Sequence, residues 1–175
     1  MVVTGAGPVF SAGFDLKEFD RAAADDAFMQ ELWASSDRFH RTVLCFPLPL
    51  VAAVNGPAIA GGFDLAVMCD LRVASNTARF SHPERSFGDM VYGPLHDLVV
   101  GAVARELTIG GRELTAKEAM AVHLVSAVVE PEDLMEEVSR VVERVCVAPR
   151  DVLVRTKTKA RRRAGVDPSS PTLDL

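Results

Sequence analysis

Three side chains in the middle of the sequence could carry acid–base chemistry: Asp64, His82 and Glu84. The two acids belong to different predicted elements, so they could converge on one substrate as general acid and general base. Each also has an ordinary structural interpretation. The helix dipole favours a carboxylate in a first turn, as at Asp64, whereas Glu84 could be a surface acid and a lone histidine is more often structural. The spacing leaves both interpretations open.

A glycine pair just before Asp64 is the second candidate feature. Gly61 and Gly62 lie where an apolar strand and an Asn-Gly-Pro turn lead into a predicted helix. The N–H groups at a helix start have no acceptor within the helix, and glycine lets a ligand approach them closely. Such a turn can stabilise an oxyanion that develops during a reaction. The same glycines could instead permit tight packing of the helix against the strand.

The elements that must position these residues alternate between strand and helix. Short apolar runs predict strands, a 3.6-residue apolar period predicts helices, and Thr115 with Glu118 predicts a capping box. The predicted strands are 1–4, 50–54, 71–74 and 125–129, with a strand-like segment at 79–81, and the predicted helices are 15–19, 25–43, 58–69, 99–109, 115–121, 131–146 and 155–163. This alternation predicts an α/β fold.

The composition excludes several classes of function. The 175 residues are 49% hydrophobic and 6% aromatic, and their net charge is −5. A nucleic-acid partner is not expected, because it would need a basic face or a stacking platform. No apolar run is long enough to span a bilayer and no secretion signal is visible, so we expect no membrane partner.

Three widely spaced cysteines exclude a disulfide scaffold and a CxxC metal site, and they fit a reducing, cytoplasmic location. A nicotinamide cofactor is not favoured either. Residues 2–7 begin like the glycine turn of a dinucleotide-binding fold, but Phe10 occupies the last glycine position of the Gly-x-Gly-x-x-Gly pattern.

Several segments together resemble the crotonase superfamily, the enoyl-CoA hydratase/isomerase family. Residues 2–18, VVTGAGPVFSAGFDLKE, are similar to the strand and loop that contact CoA in that family. Residues 51–70, VAAVNGPAIAGGFDLAVMCD, are similar to its central signature, and residues 78–84, ARFSHPE, continue it. Residues 110–119 are similar to a later helix motif, and the resemblance covers roughly residues 1–160.

The resemblance implies a spiral of repeated ββα turns with C-terminal helices, assembled as a homotrimer or hexamer. It implies an acyl-CoA thioester substrate, of which CoA is a part, and no metal or separate cofactor. The family's oxyanion hole, formed by two backbone N–H groups, falls on Phe14 and Gly61, and its two catalytic glutamates fall on Asp64 and Glu84. The remaining substrate-binding positions fall on Ala12, Gly13, Asp15 and Gly62.

Two departures from the family pattern leave the reaction type open. Asp64 stands where hydratases carry glutamate, and it reaches about one methylene less far, which matters for a catalytic group. The pair Asp64/Glu84 resembles that of dienoyl-CoA isomerases, but their additional aspartate is replaced by Tyr92 here, and Asp89 lies three residues too early. The loop that follows Glu84 is also shorter than in relatives, so acyl-chain preference does not transfer.

We therefore predict hydration of a 2-enoyl-CoA thioester. The alternatives are double-bond isomerisation of an enoyl- or dienoyl-CoA and a catalytically impaired chain that only binds CoA or assembles. We expect one acyl-CoA-binding domain at 1–163, incomplete at its N-terminus, and a disordered tail at 164–175. The basic residues between 155 and 163 could lie near CoA phosphates, although a solvated helix face is the favoured interpretation.

Overall fold

Four short parallel strands form the central sheet. The computed structural model describes residues 1–86, 88, 90–167, 169 and 175, without the side chain of Ser86. Within it the sheet contains β1 (Val2–Thr4), β2 (Val51–Val54), β4 (Leu71–Ser75) and β7 (Val128–Val129), in that order. All four residues of β2 are buried, as expected for a parallel strand that is covered on both faces.

A second, smaller sheet lies beside the first and carries the candidate site. It contains β3 (Ala58–Ile59), β5 (Arg79–Ser81) and β6 (Leu114–Thr115). β3 is parallel to β5, and β5 is antiparallel to β6. Ser11 extends this sheet through an isolated bridge to Ala58. The loop after residue 11, the chain after β3 and the chain after β5 therefore emerge close to one another.

Helices cover both sheets. The described residues form α1 (Leu16–Ala22), α2 (Asp26–Leu44), α3 (Gly61–Met68), α4 (Gly93–Leu98), α5 (Gly101–Thr108), α6 (Ala116–Ala121), α7 (Leu134–Cys146) and α8 (Arg150–Arg163), with 3-10 turns at Pro83–Ser86 and Pro131–Asp133. The predicted capping box of Thr115 and Glu118 is present at the start of α6. No helix in these ranges is long and apolar enough to cross a membrane.

The predicted elements are mostly confirmed, with three differences. The segment 58–69 is not one helix, because Ala58 and Ile59 pair with β5 before α3 begins at Gly61. The predicted helix 99–109 corresponds to α5, and a separate helix that was not predicted, α4, precedes it. The last helix begins at Arg150 instead of Arg155.

Half of the predicted disordered tail, residues 168 and 170–174, lies outside the described part of the chain. Two of the described tail residues contact the rest of the fold. Val166 is buried in the main apolar core, and the carbonyl oxygen of Leu175 accepts a hydrogen bond from Tyr92 N at 2.9 Å. Ordered packing therefore extends beyond residue 163.

A buried arginine holds α3 against the sheet. Arg72 in β4 donates hydrogen bonds to the carbonyl oxygens of Ala66 and Cys69 at the end of α3, and to Leu124 O at 2.7 Å. The two carbonyls at the end of α3 have no N–H donor within the helix, so the guanidinium satisfies them. Burial lowers the pKa of Arg72 to about 10, so the group remains charged at neutral pH.

An ion pair attaches α8 to the start of β2. Lys157 Nζ lies 2.7 Å from Asp70 Oδ2 and donates to Leu48 O at 3.1 Å. Asp70 Oδ2 also accepts from Leu50 N at 2.7 Å. The lysine side chain is only 10% exposed, so the interpretation of the basic run as a solvated face is wrong at this position.

Replacing Lys157 by methionine should lower the free energy of unfolding by about 2 kcal/mol, because the partly buried carboxylate of Asp70 would lose its cation. Urea denaturation measures this. Arg155→Met is the matched control on the same helix: its pair with Asp151 is exposed, and its loss should cost less than about 1 kcal/mol. Equal losses in the two variants would contradict a specific role for the Lys157 ion pair.

Candidate active site

The structure brings the two predicted carboxylates into one buried cluster with a histidine between them. Asp64 lies in the first turn of α3, whereas His82 and Glu84 lie at the corner after β5. His82 Nδ1 is 2.9 Å from Glu84 Oε1, and His82 Nε2 is 3.9 Å from Asp64 Oδ1. The three residues are between 2% and 9% exposed, so Glu84 is not the surface acid of the structural interpretation.

The local backbone explains why these segments meet. Ala60 N donates to Ser81 O at 2.9 Å, which continues the pairing of β3 with β5 to the residue that precedes α3. Ala60 has a φ of 54°, an unfavourable value for a residue with a Cβ, and the chain turns there into the helix. Phe63, in that first turn, stacks on the His82 ring with 4.5 Å between centroids.

Burial sets the protonation behaviour of Asp64. It raises the pKa of this carboxyl from an ordinary value of 3.8 to about 6, because desolvation disfavours the charged form. The neighbouring His82 and a hydrogen bond from Val91 N, 3.2 Å from Oδ1, oppose the rise, whereas Glu84 adds to it. Asp64 can therefore gain or release a proton close to neutral pH, as a general acid or base must.

The two predicted oxyanion donors belong to segments that are in contact. A Cβ built on Gly13 would lie 2.8 Å from Gly61 N, and the Phe14 ring lies within 3.6 Å of a Cβ built on Gly61. Within the described ranges, neither the Phe14 N–H nor the Gly61 N–H donates a hydrogen bond to another group of the chain. Both remain available for a ligand oxygen.

The structure separates the two interpretations of the glycine pair. A Cβ on Gly62 would lie 2.2 Å from Ser11 O, so Gly62 permits the close packing of α3 on the residue 11 segment. A Cβ on Gly61 would make only ordinary contacts, the nearest at 3.5 Å. Close packing therefore explains Gly62, whereas Gly61 has room for a Cβ against Gly13 and Phe14.

A cavity of about 210 Å³ adjoins this turn. It lies between α2 and the Phe14–Gly61 contact, and its walls include Ser36, His40 and Leu65. Burial lowers the pKa of His40, so its imidazole is neutral near pH 7. Asp64 and Glu84 are not among the residues that line the cavity; Asp64 lies three residues beyond Gly61 along α3.

The other predicted site residues differ in what they do. Ala12 and Gly13 are exposed in the loop before α1. Asp15 caps α1, with its carboxylate accepting from Lys17 N at 2.9 Å, so this side chain has a structural task that the sequence did not indicate. Asp89 lies outside the described residues.

His82 is the residue that sequence reasoning underestimated. A histidine two positions before an acid gives no signal that its ring will lie between two carboxylates. The ligand atoms of Asp64, His82 and Glu84 lie within 4.8 Å of one another, a grouping that could hold a cation. However, the two acids face opposite nitrogens of the ring, and one of them, Glu84, already shares a hydrogen bond with His82 Nδ1.

The fold and this site can now be compared with known proteins. A sequence model of the enoyl-CoA hydratase/isomerase family matches residues 1–172. The chain is 39% identical over 152 residues to a putative enoyl-CoA hydratase of Thermus thermophilus, which covers 83% of this chain and 59% of that protein. It is 34% identical over 150 residues to the crotonyl-CoA hydratase of Syntrophomonas wolfei, with coverage of 83% and 57%.

Solved structures agree with this assignment. A crystal structure of an enoyl-CoA hydratase/carnithine racemase from Magnetospirillum magneticum is similar with a TM-score of 0.83 and 29% identity, over 97% of this chain and 64% of that one. The chain belongs to the enoyl-CoA hydratase/isomerase family and has its α/β crotonase fold, as the motifs predicted. It spans a little under two thirds of the length of these relatives.

Two alanine substitutions should separate the roles of the adjacent glycines. Gly62→Ala should lower the melting temperature strongly, because its Cβ would overlap Ser11 O. Gly61→Ala should fold with a melting temperature close to wild type, because space exists for its Cβ, but it should weaken binding of a thioester analogue at the turn. Thermal unfolding and calorimetry with acetoacetyl-CoA measure the two effects, and the reverse pattern would contradict these assignments.

Asp64→Asn should stabilise the protein at pH 7 to 8. The pKa of Asp64 is higher in the folded than in the unfolded chain, so between about pH 4 and 6 the folded state binds more protons, and stability falls as the pH rises. Above pH 6 the ionised, buried carboxylate costs on the order of 3 kcal/mol, which the amide avoids. Denaturant unfolding should show a gain at pH 7.5 that disappears near pH 4; a gain independent of pH would contradict this cause.

Proposed function

We propose that the protein hydrates a 2-enoyl-CoA thioester. The observation that carries the proposal is the convergence of Asp64 and Glu84 in one buried cluster, next to a helix start whose Gly61 N–H has no acceptor among the described residues. Hydration needs one group that takes a proton from water and one that gives a proton to the carbon next to the thioester. The family relationship supports an acyl-CoA as the substrate class.

In the proposed mechanism, the N–H groups of Phe14 and Gly61 bind the thioester oxygen and stabilise the negative charge that develops on it. Polarisation of the thioester makes the distant carbon of the double bond electrophilic, and water attacks it. Glu84 has one carboxylate oxygen, Oε2, without a hydrogen-bond partner among the described residues. This oxygen can accept or donate a proton, while Asp64 exchanges the second one.

Isomerisation is the second candidate function. Asp64 has a short side chain and accepts a hydrogen bond from Val91 N. These observations favour a variant of the mechanism in which only Glu84 reaches the substrate and moves a proton between two carbons of the acyl chain. The product would then contain no added oxygen.

The third candidate function is CoA binding without turnover. The shorter acid at Asp64, where the family's hydratases carry glutamate, is the observation that favours it. Binding of acetoacetyl-CoA in calorimetry without turnover of any enoyl-CoA would support it.

The proposal for the whole protein also includes assembly as a homotrimer or hexamer and a cytoplasmic location.

Loss of the enoyl absorbance of crotonyl-CoA measures the proposed activity. The wild type should form 3-hydroxyacyl-CoA, detected by mass spectrometry as the addition of one water. Glu84→Gln should lower kcat by at least about 100-fold, because it removes the proton-transfer group and keeps its shape.

Glu143→Gln is the matched control, since Glu143 is exposed on α7, and it should retain wild-type turnover. A product of unchanged mass with a shifted double bond would identify isomerisation. Equal rates for wild type and Glu84→Gln would sink the catalytic role of Glu84.

A further inference from the structure

The hydrogen bond between His82 and Glu84 determines which carboxylate oxygen of Glu84 is free. His82 Nδ1 lies 2.9 Å from Oε1, a good hydrogen-bond distance. The other oxygen, Oε2, is buried and has no partner among the described groups. A carboxylate held at one oxygen has lost its rotational freedom, so its second oxygen is fixed in one place. This is the requirement for a group that must transfer a proton in one geometry.

The His82 ring is itself held in place. Its side chain is fully buried, and one face stacks on Phe63 at an interplanar angle of 28°. Phe63 directly precedes Asp64 in α3 and is also fully buried. A displacement of the ring would therefore disturb the first turn of α3. The contacts from Phe63 to His82 to Glu84 join the helix that carries Asp64 to the corner that carries Glu84.

The second nitrogen of the ring faces the other acid. His82 Nε2 is 3.9 Å from Asp64 Oδ1, too far for a hydrogen bond, and it has no other partner among the described atoms. Among the described residues, Asp64 from α3 and Glu84 from the 3-10 turn are the titratable groups paired with this ring. Each edge of the imidazole therefore faces a different carboxylate.

We propose that His82 is a positioning residue for both acids: its Nδ1–H orients Glu84 so that Oε2 acts on the substrate, and its Nε2 edge sets the charge state of Asp64. The proposal rests on the proposed function, since it assumes that these two acids act on an acyl-CoA. The imidazole transfers no proton to substrate in this role. It fixes the positions of two carboxylates from different elements relative to each other.

The proposal predicts a change in pH dependence as well as in rate. His82 is one of the groups that lower the pKa of Asp64, against the larger effect of burial. Without the imidazole, the pKa of Asp64 should rise. If ionised Asp64 is the active form, turnover is lost as the pH falls through this pKa, so the acid limb of the kcat/KM profile should move to higher pH. A residue needed only for packing would lower the rate without moving the limb.

Two variants separate the contacts of the ring. In His82→Asn the amide nitrogen can replace Nδ1 as the donor to Glu84, so kcat should fall by less than about tenfold while the acid limb moves upward. In His82→Leu no donor remains, so kcat should fall by about 100-fold, with KM within about threefold of wild type. His123→Asn is the matched control, because His123 is exposed at the end of α6 and its replacement should change neither parameter.

Nitrogen-15 NMR of the histidine side chains tests the proposal without turnover. The wild-type His82 signal, assigned by its absence in His82→Asn, should show a proton on Nδ1, and Glu84→Gln should shift it. A wild-type spectrum with Nδ1 unprotonated would overturn the proposal, as would a His82→Leu variant that is folded and has wild-type kcat. If the wild type turns over no enoyl-CoA, the proposed function fails, and the spectra alone then decide whether His82 orients Glu84.

Discussion

The pairing of two very short strands determines the geometry of the site. Ala58 and Ile59 are aligned with Phe80 and Ser81, and one further hydrogen bond runs from Ala60 N to Ser81 O. These few main-chain contacts place the start of α3 beside the corner after β5. The Gly61 N–H and the carboxylates of Asp64 and Glu84 can lie together only while this pairing holds. Arg72 holds the other end of α3, and Lys157 holds the segments that precede β2 and β4.

The treatment of buried polar groups differs between the scaffold and the site. The buried Arg72 and the partly buried pair of Asp70 and Lys157 all have close partners, as charges removed from water in a stable fold must. By contrast, two of the buried side-chain atoms without a partner, His82 Nε2 and Glu84 Oε2, belong to the site. An unsatisfied polar atom is costly in a folded protein, so its presence next to a raised Asp64 pKa is typical of a functional site.

Family membership and reaction chemistry are supported by different parts of the molecule. The similarity to known enoyl-CoA hydratases extends along almost the whole chain, whereas the reaction depends on a few side chains at one corner. One of these, Asp64, is a shorter acid than the glutamate of the family's hydratases, and His82 lies between it and Glu84. Family membership therefore supports the proposed substrate class, and the local arrangement of these three residues supports the proposed proton transfers.

The sequence by itself determined the fold class and most element positions, and it indicated Asp64 and Glu84 as the two candidate acids. It did so because apolar periodicity, capping residues and the glycine turn act over a few residues, and because the motifs are long. Only the tertiary structure decided that His82 lies between the acids, that Val91 N holds Asp64, that Gly62 rather than Gly61 is needed for packing, and that Lys157 is paired. Each of these depends on distances between segments far apart in the chain, which the pairing of β3 with β5 and the packing of helices on the sheets set.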